Sequence, residues 1–196
     1  MLKDKDIRES LFDYLEDRYG KIRIIEEKTM GKSRADVVMV TEGALYGIEI
    51  KSDADTYARL ARQIKDYNKY YDYNYVVVGT THAAHVKEHV PDFWGIITVE
   101  EVDGKPDFYE YRRAGNNPKM KWKYKMSIMW RPELAHIQEL NKMPKYKERS
   151  KAFVVDKILL KVPEDILRVQ MSNELFERDY TTIGDTISEY KSKRRR

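Results

Sequence analysis

SRADVVMVTEGALYGIEIKSDADTYARLARQIKDY, residues 33–67, is the stretch of sequence on which the fold prediction depends. Its first part is an apolar, β-branched run at 34–40, and a second short run follows at 45–51. Glu42-Gly43 lies between them and is typical of a tight turn. A helical pattern begins in the segment after residue 52. The stretch therefore predicts a strand–turn–strand–helix unit.

The second strand carries charged and apolar side chains in alternation. Successive side chains of a strand point to opposite faces, so Glu49 and Lys51 share one face while Ile48 and Ile50 share the other. The isoleucines can enter a core while the charged pair faces a cleft. Asp36 stands at the start of the neighbouring strand and could converge on that pair. Two carboxylates and an amine brought together in this way predict a metal site with a positioned lysine.

The same residues carry a resemblance to a known group of enzymes. Asp36 followed by Glu49-Ile50-Lys51 resembles the D…(D/E)-x-K signature of the PD-(D/E)xK nuclease superfamily. Gln63 and Tyr67 resemble the Q-x-x-x-Y motif of its RecB-like branch. The sequence of residues 34–67 also resembles a bacterial and phage family of that superfamily, which is distantly related to MmcB-like repair proteins. This resemblance extends over about residues 5–100.

The resemblance implies an α/β fold: a restriction-endonuclease-like mixed sheet flanked by helices, with a mainly helical C-terminal region. It implies that Asp36, Glu49 and the backbone carbonyl of Ile50 hold Mg²⁺ or Mn²⁺ as catalytic cofactor. Lys51 would orient or activate the attacking water, or stabilise charge on the phosphate. The alternative for Glu49 and Lys51 is a solvated pair on an ordinary hairpin. The apolar segments on both sides disfavour it, because unpaired charge near the centre of a sheet is costly.

The resemblance also gives roles to residues on the two helices nearest the site. Gln63 and Tyr67 would hold the water shell of the metal or the substrate phosphate. From the residues alone, the alternatives are a solvated flank for Gln63 and core packing for Tyr67. An acidic residue of the first helix often joins the metal site in this superfamily, and Glu9 is the candidate. A surface acid is the alternative for Glu9, and Glu26 or Glu27 is a competitor.

Composition limits the class of protein. The chain has 196 residues, of which 41% are hydrophobic, with 15 Tyr and 3 Trp, so it predicts a packed domain of ordinary size. The absence of cysteine excludes disulfides and thiolate metal sites and suits a reducing cytoplasm. No apolar run has the length of a membrane span, and the charged N-terminus does not resemble a signal peptide. We expect a cytoplasmic protein with no membrane partner and no nucleotide cofactor.

Further elements are expected on both sides of the central unit: a helix at 4–18, a strand at 21–27, a long helix at 55–72, and strands at 75–79 and 93–99. This order predicts a crossover connection and a mixed sheet with helical cover. Asp53 and Asp55 are taken to cap the long helix, with support of a second metal as the alternative. His82, His85 and His89 could share a helical face, but no fourth ligand makes a zinc site convincing.

A lysine-rich segment follows, after a turn at 115–118. Residues 119–126 alternate lysine with apolar residues, which predicts a strand with its amines on one face. Such a face suits a nucleic-acid backbone, and the alternative is an edge strand that lysines protect from aggregation. The candidates for nucleic-acid binding are Arg34, Arg59, Lys119, Lys121, Lys123 and Lys125.

The last third of the chain is expected to be helical, with helices near 133–143, 148–161 and 164–178. We expect a nuclease-like domain at 1–130, a helical appendage or cap at 131–190, and a basic tail at 191–196. The three helices could form a DNA-reading unit, but a cap over the sheet is favoured.

Together these patterns predict a metal-dependent nuclease that hydrolyses phosphodiester bonds of single- or double-stranded DNA, in phage biology, defence or repair. The alternative is a catalytically inactive nuclease-fold module that binds DNA. A weaker third hypothesis is an RNA or nucleotide substrate.

Overall fold

The computed structural model describes residues 4–53 and 55–179. The strands are β1 (Arg23–Met30), β2 (Ser33–Thr41), β3 (Ala44–Lys51), β4 (Tyr73–Gly79), β5 (Gly95–Val102) and β6 (Lys105–Arg112). The helices are α1 (Asp4–Tyr19), α2 (Leu60–Tyr70), α3 (Thr80–Ala83), α4 (Val86–His89), α5 (Trp122–Met126), α6 (Arg131–Leu140), α7 (Lys151–Lys161) and α8 (Glu164–Glu177). A 3₁₀ turn, Tyr57–Arg59, leads into α2.

The six strands form one mixed sheet in the order of the sequence. The pairs β1–β2, β2–β3 and β5–β6 are antiparallel, whereas β3–β4 and β4–β5 are parallel. α2 connects β3 to β4, and α3 and α4 connect β4 to β5. The predicted α/β fold, a mixed sheet flanked by helices with further helices toward the C-terminus, is confirmed.

Apolar side chains cover both faces of the sheet. On one face, Ile7, Leu11 and Leu15 of α1 are fully buried against the inward-facing residues of β2, β3, β4 and β5. On the other face, a larger cluster joins the sheet to α2 and to α5–α8. Because that cluster is continuous, the C-terminal helices are packed on the sheet. The predicted domain boundary near residue 130 stays a prediction.

The long helix after β3 starts later than predicted, at Leu60. Asp53 and Asp55 do not cap it, so that prediction is wrong. The carboxylate of Asp55 accepts hydrogen bonds from the backbone and side chain of Ser52, at 2.9 and 2.7 Å. Asp53 Oδ1 instead accepts from the backbone and hydroxyl of Thr81, at 3.1 and 2.7 Å, and thereby binds the first turn of α3. A tertiary partner thus holds Asp53, and a neighbour in the same loop holds Asp55.

The lysine-rich segment is not a strand, so the predicted comb of four amines is wrong. Residues 122–126 form α5, and Lys125 is buried, with 1% of its surface exposed. Its ammonium donates to Asp72 Oδ2 at 2.6 Å. Lys123 points elsewhere, to Asp156 of α7 at 3.0 Å. Lys125 and Met126 are both buried, which the alternating faces of a half-exposed strand do not allow.

The three C-terminal helices are confirmed near their predicted positions, as α6, α7 and α8. Asp72, buried between α2 and β4, links α5 and α8 to the sheet. Its carboxylate accepts from the Leu45 backbone at 2.8 Å, from Lys125 at 2.6 Å and from Arg168 of α8 at 2.6 Å. Over the described ranges, no helix combines the length and apolar character needed to cross a membrane. The predicted basic tail at 191–196 lies outside the described residues.

Candidate active site

A charged cavity of about 730 Å³ opens where the β1–β2 turn, the end of β3 and the start of α2 meet. Polar and charged side chains form most of its lining. They include Asp36 of β2, Glu49 and Lys51 of β3, and Gln63 of α2. The residues predicted from the strand–strand–helix unit are therefore brought to one place. This cavity is the candidate active site.

Asp36 is held where β2 and β3 stop pairing through their backbones. The antiparallel register of the two strands ends at the Val37–Ile48 pair. Two residues further along β3, the N–H of Ile50 donates to Asp36 Oδ2 at 2.8 Å. The carboxylate thus takes the place of a backbone acceptor. Because of this bond, Asp36 is fixed beside Ile50, which also lines the cavity.

Glu49 is the most strongly held group of the site. It is 1% exposed, and its Oε1 accepts from the ammonium of Lys51 at 2.6 Å and from the Gln63 amide. Its Oε2 accepts from the hydroxyl of Tyr67 at 2.8 Å. Lys51 also lies 3.3 Å from Oε1 of Gln63. A buried carboxylate is costly unless it is paired and hydrogen-bonded, and these three donors meet that requirement.

Tyr67 of α2 contacts both β2, which carries Asp36, and β3, which carries Glu49. Its ring is fully buried, and its hydroxyl lies 3.3 Å from the backbone nitrogen of Asp36 and 3.1 Å from the carbonyl oxygen of Ile48. Burial, together with the nearby charges of Glu49 and Asp36, raises the pKa of Tyr67 well above its ordinary value of 10.0. The phenol therefore stays protonated and remains a donor to Glu49.

A glycine in the middle of β3 makes room for this tyrosine. A Cβ atom on Gly47 would lie 2.6 Å from the Tyr67 ring and 2.2 Å from the ring of Tyr71. Both rings pack directly on the backbone of the strand for that reason. Sequence reasoning missed this role, although an isolated glycine inside a strand pattern signals a close approach.

Cationic side chains surround the mouth of the cavity. Lys32 and Arg34 approach from the β1–β2 turn, and Arg59 and Arg62 from the start of α2. All four are exposed. Arg34 also pairs with Glu27 at 3.1 Å. Arg34 and Arg59 are among the predicted nucleic-acid-binding residues, whereas the sequence reasoning did not select Lys32 and Arg62.

The β1–β2 turn is fastened to α2, which fixes the width of the cavity. The hydroxyl of Ser33 donates to Asp66 of α2 at 2.7 Å. Gly31 has a φ of +56°, and a Cβ atom there would come within 3.0 Å of the Asp66 carboxylate. Close approach and left-handed geometry thus both favour glycine. The turn holds its cations opposite those of α2.

Glu9 lies outside the cavity. It is exposed on α1, and the neighbouring Arg8 is the α1 residue that reaches toward the site. Arg8 Nη1 lies 3.4 Å from the backbone oxygen of Asp36 and 3.3 Å from the carboxylate of Glu26. Glu27 pairs with Arg34, so the competing acids of β1 also face cations.

The donor set of the cavity fits a hard divalent cation. Asp36 and Glu49 supply carboxylate oxygens, and Ile50, which directly follows Glu49, also lines the cavity. In the described part of the chain, no group of three or more His, Cys, Asp or Glu side chains is placed to hold a metal ion. Two carboxylates nevertheless match Mg²⁺, which is usually held by one or two carboxylates together with water and substrate phosphates.

Comparison with known proteins gives one family and one solved structure. The model of the family described as "Bacteriophage P4 protein cII" matches residues 1–195. The structure of Pyrococcus furiosus SfsA in complex with Ca²⁺ is similar at 14% identity and a TM-score of 0.35, over 60% of this chain and 63% of that chain. The chain thus spans just under two thirds of that protein. No curated protein matches the sequence.

Proposed function

The chain belongs to the bacteriophage P4 protein cII family, and from its charged cavity we propose that it is a metal-dependent nuclease of the PD-(D/E)xK type acting on DNA. The observation that carries the proposal is the convergence of Asp36, Glu49 and Lys51 in one cavity rimmed by four cations. Two carboxylates beside a lysine suit phosphodiester hydrolysis, and cations at the mouth suit a phosphate backbone.

Asp36, Glu49 and the backbone carbonyl of Ile50 would hold Mg²⁺ or Mn²⁺. When bound, such an ion polarises the scissile phosphate and lowers the pKa of a water molecule. In the absence of a metal ion, the Lys51 ammonium, 2.6 Å from Glu49, neutralises the buried carboxylate. The contacts of Asp36 and Glu49 with the protein keep both carboxylates oriented toward the cavity in advance, which lowers the entropic cost of assembling the site.

Lys51 has the position expected of a group that acts on the substrate. It is only 8% exposed and lines the cavity, so its charge is little screened by water. In the proposed reaction the ammonium stabilises negative charge that develops on the phosphate, or orients the attacking water. An arginine would supply the charge, but its high pKa makes it a poor proton carrier.

Gln63 and Tyr67 serve as positioning residues in this proposal. Both donate to Glu49, one oxygen each, and they thereby fix the rotation of the carboxylate. Tyr67 is fully buried and does not reach the cavity, whereas Gln63 lines it. Loss of either donor would leave Glu49 chemically intact but less well oriented, and misplacement by an ångström is costly in catalysis.

A second candidate function, DNA binding without cleavage, is favoured by one specific observation. Both carboxylate oxygens of Glu49 already accept hydrogen bonds from protein donors. A carboxylate so fully engaged could serve the stability of the sheet alone, while the rim cations bind a nucleic-acid backbone. The two candidates differ in whether the bound DNA is cut when a divalent cation is present.

The experiment is cleavage of circular single- and double-stranded DNA with Mg²⁺ or Mn²⁺ by the wild type, Asp36→Ala and Lys51→Ala. We expect metal-dependent nicking that both variants lose, while Lys51→Ala retains most DNA binding. Glu100→Gln, at an exposed position of β5, is the control for loss of one charge at the surface. Full activity of Lys51→Ala would contradict the mechanism. If circular and linear DNA both stay intact while DNA is bound, the second candidate replaces the first.

A further inference from the structure

A second basic cavity, of about 500 Å³, lies on the surface of α2 beyond the candidate active site. Four lysines line it, together with Asn68, Pro118 and Met120. Two of the lysines, Lys65 and Lys69, belong to α2, and the other two, Lys119 and Lys121, belong to the loop before α5. We refer to it as the distal lysine cavity.

The two cavities are joined along one side of α2. Arg62 lines the candidate active site, and Lys65 and Lys69 line the distal lysine cavity. These three residues are spaced by three and four positions, so they lie on one side of the helix. At a rise of 1.5 Å per residue, Arg62 and Lys69 are separated by roughly 10 Å along the helix axis. A basic track therefore connects the cavities.

Hydrogen bonds hold the loop of the distal lysine cavity in place on α2. The side-chain amide of Asn117 donates to the carbonyls of Asn68 and Tyr71, at 2.9 and 2.7 Å, and its oxygen accepts from the Lys119 backbone at 2.9 Å. The Lys121 backbone N–H donates to the Lys69 carbonyl at 3.0 Å. The amines are thus presented by a fixed loop, which reduces the entropy lost on binding.

The charge of this cavity is only partly compensated. Lys69 pairs with Asp66 at 3.3 Å, and the other oxygen of Asp66 accepts from Ser33. Lys65, Lys119 and Lys121 are exposed. Tyr124, next to the cavity, is 40% exposed, and its ring centroid lies 5.7 Å from the Lys69 ammonium. Amines next to a partly exposed aromatic side chain are the combination that binds a single-stranded nucleic-acid backbone and its bases.

We propose that the distal lysine cavity binds the backbone of the same nucleic-acid strand that enters the candidate active site. The inference rests on the proposed function and adds the path of the strand along α2. With roughly 3.4 Å per nucleotide of a stacked strand, a separation of about 10 Å places this contact about three nucleotides from the rim of the candidate active site. Affinity then depends on lysines that do not touch the reacting phosphate.

The test compares two variants that lose equal charge. Lys65→Gln/Lys119→Gln/Lys121→Gln removes three exposed amines of the cavity, and Lys87→Gln/Lys105→Gln/Lys161→Gln removes three exposed amines elsewhere. The affinity for a labelled single-stranded DNA of about 15 nucleotides (the 15-mer) is measured by fluorescence anisotropy in EDTA. The salt concentration is varied from roughly 50 to 200 mM, where phosphate contacts dominate.

In the cavity variant, the loss of three phosphate contacts should reduce the magnitude of the slope of log affinity against log salt by about 2, at about 0.7 per contact. Its affinity should fall on the order of 10-fold or more at about 100 mM salt. The control should stay within about twofold of the wild type, as expected for distant, screened charges. Equal behaviour of the two variants, or no binding of the 15-mer by the wild type, would overturn the inference.

Cleavage in Mn²⁺ is measured in parallel on the wild type, so that the two proposals fail separately. A wild type that cuts DNA, with a cavity variant that binds like the control, overturns the distal contact alone. A wild type that does not cut, with the expected loss of affinity and slope in the cavity variant, overturns the nuclease activity and supports the strand path.

Discussion

Tyr67→Phe is the substitution that tests the architecture of the site most sharply. It keeps the ring, which is fully buried, and removes only the hydroxyl that donates to Glu49 Oε2 at 2.8 Å. A hydrogen bond to a charged group contributes about 1.5–3 kcal/mol to the free energy of unfolding. For a chain of this length, each kcal/mol moves the melting temperature by about 2–4 °C. We therefore expect Tm to fall by about 3–12 °C.

Tyr71→Phe is a matched control: Tyr71 is four residues after Tyr67, at the C-terminal end of the same helix. Tyr71 is also fully buried, and its hydroxyl has no hydrogen-bond partner among the residues the structure describes. Removing a buried, unpaired polar group relieves a desolvation cost of about 1–3 kcal/mol, so this variant should be as stable as the wild type or more stable.

The assay is thermal unfolding followed by circular dichroism, with nicking of circular DNA measured on the same samples at a temperature where both variants are folded. Tyr67→Phe should lose both stability and nicking rate, because Glu49 loses a donor that orients it, whereas Tyr71→Phe should lose neither. An equal loss of stability in both variants, or a Tyr67→Phe protein with unchanged Tm, would refute the assigned role of the hydroxyl.

Three further predictions concern the fold that supports the site. Asp72→Asn removes the counter-ion of the buried Lys125 and should lower the free energy of unfolding, measured in urea, by about 3–5 kcal/mol. A decrease below about 1 kcal/mol would contradict the linking role of this carboxylate. Gly47→Ala should lower the free energy of unfolding by about 3 kcal/mol or more, since its Cβ would lie 2.2 Å from a ring carbon of Tyr71. Wild-type stability of this variant would show that the tyrosine rings can move aside. Burial raises the pKa of Tyr67 and Tyr71, so the folded protein keeps phenolic protons that the unfolded chain loses above about pH 10. Their contribution to stability is therefore complete below about pH 10 and decreases at higher pH. Absorbance at 295 nm should show that these two phenols lose their protons at a higher pH than the exposed tyrosines. Titration of every tyrosine near pH 10 would contradict this prediction.

Local patterns predicted the central unit well. The alternation of Ile48, Glu49, Ile50 and Lys51 and the turn at Gly43 depend on neighbours in the sequence, and the structure has them in β2 and β3. Because β2 and β3 pair directly, Asp36 lies in the same cavity as Glu49 and Lys51. Strand period and turn chemistry are short-range properties, and that is why they can be read from the sequence.

The incorrect predictions for Lys125 and Asp53 share a long-range cause. Lys125 ends in a helix because its ammonium binds Asp72, 53 positions earlier in the chain, and no local pattern encodes that partner. Asp53 binds Thr81, 28 positions later, rather than the helix that follows it. Similarly, Arg62 reaches the rim only because α2 packs across the β1–β2 turn. Tertiary contacts override local propensity where a buried charge must find its partner.

The most direct test of the central claim is the nicking rate of a supercoiled circle as a function of Mn²⁺ concentration, for the wild type and Glu49→Gln. Glu42→Gln, at an exposed position of the β2–β3 turn, is the control of equal charge. The proposed metal site predicts a rate that saturates with Mn²⁺ in the wild type and in the control, and falls at least about a hundredfold in Glu49→Gln. A Glu49→Gln protein that is folded and cuts DNA at the wild-type rate would contradict the account.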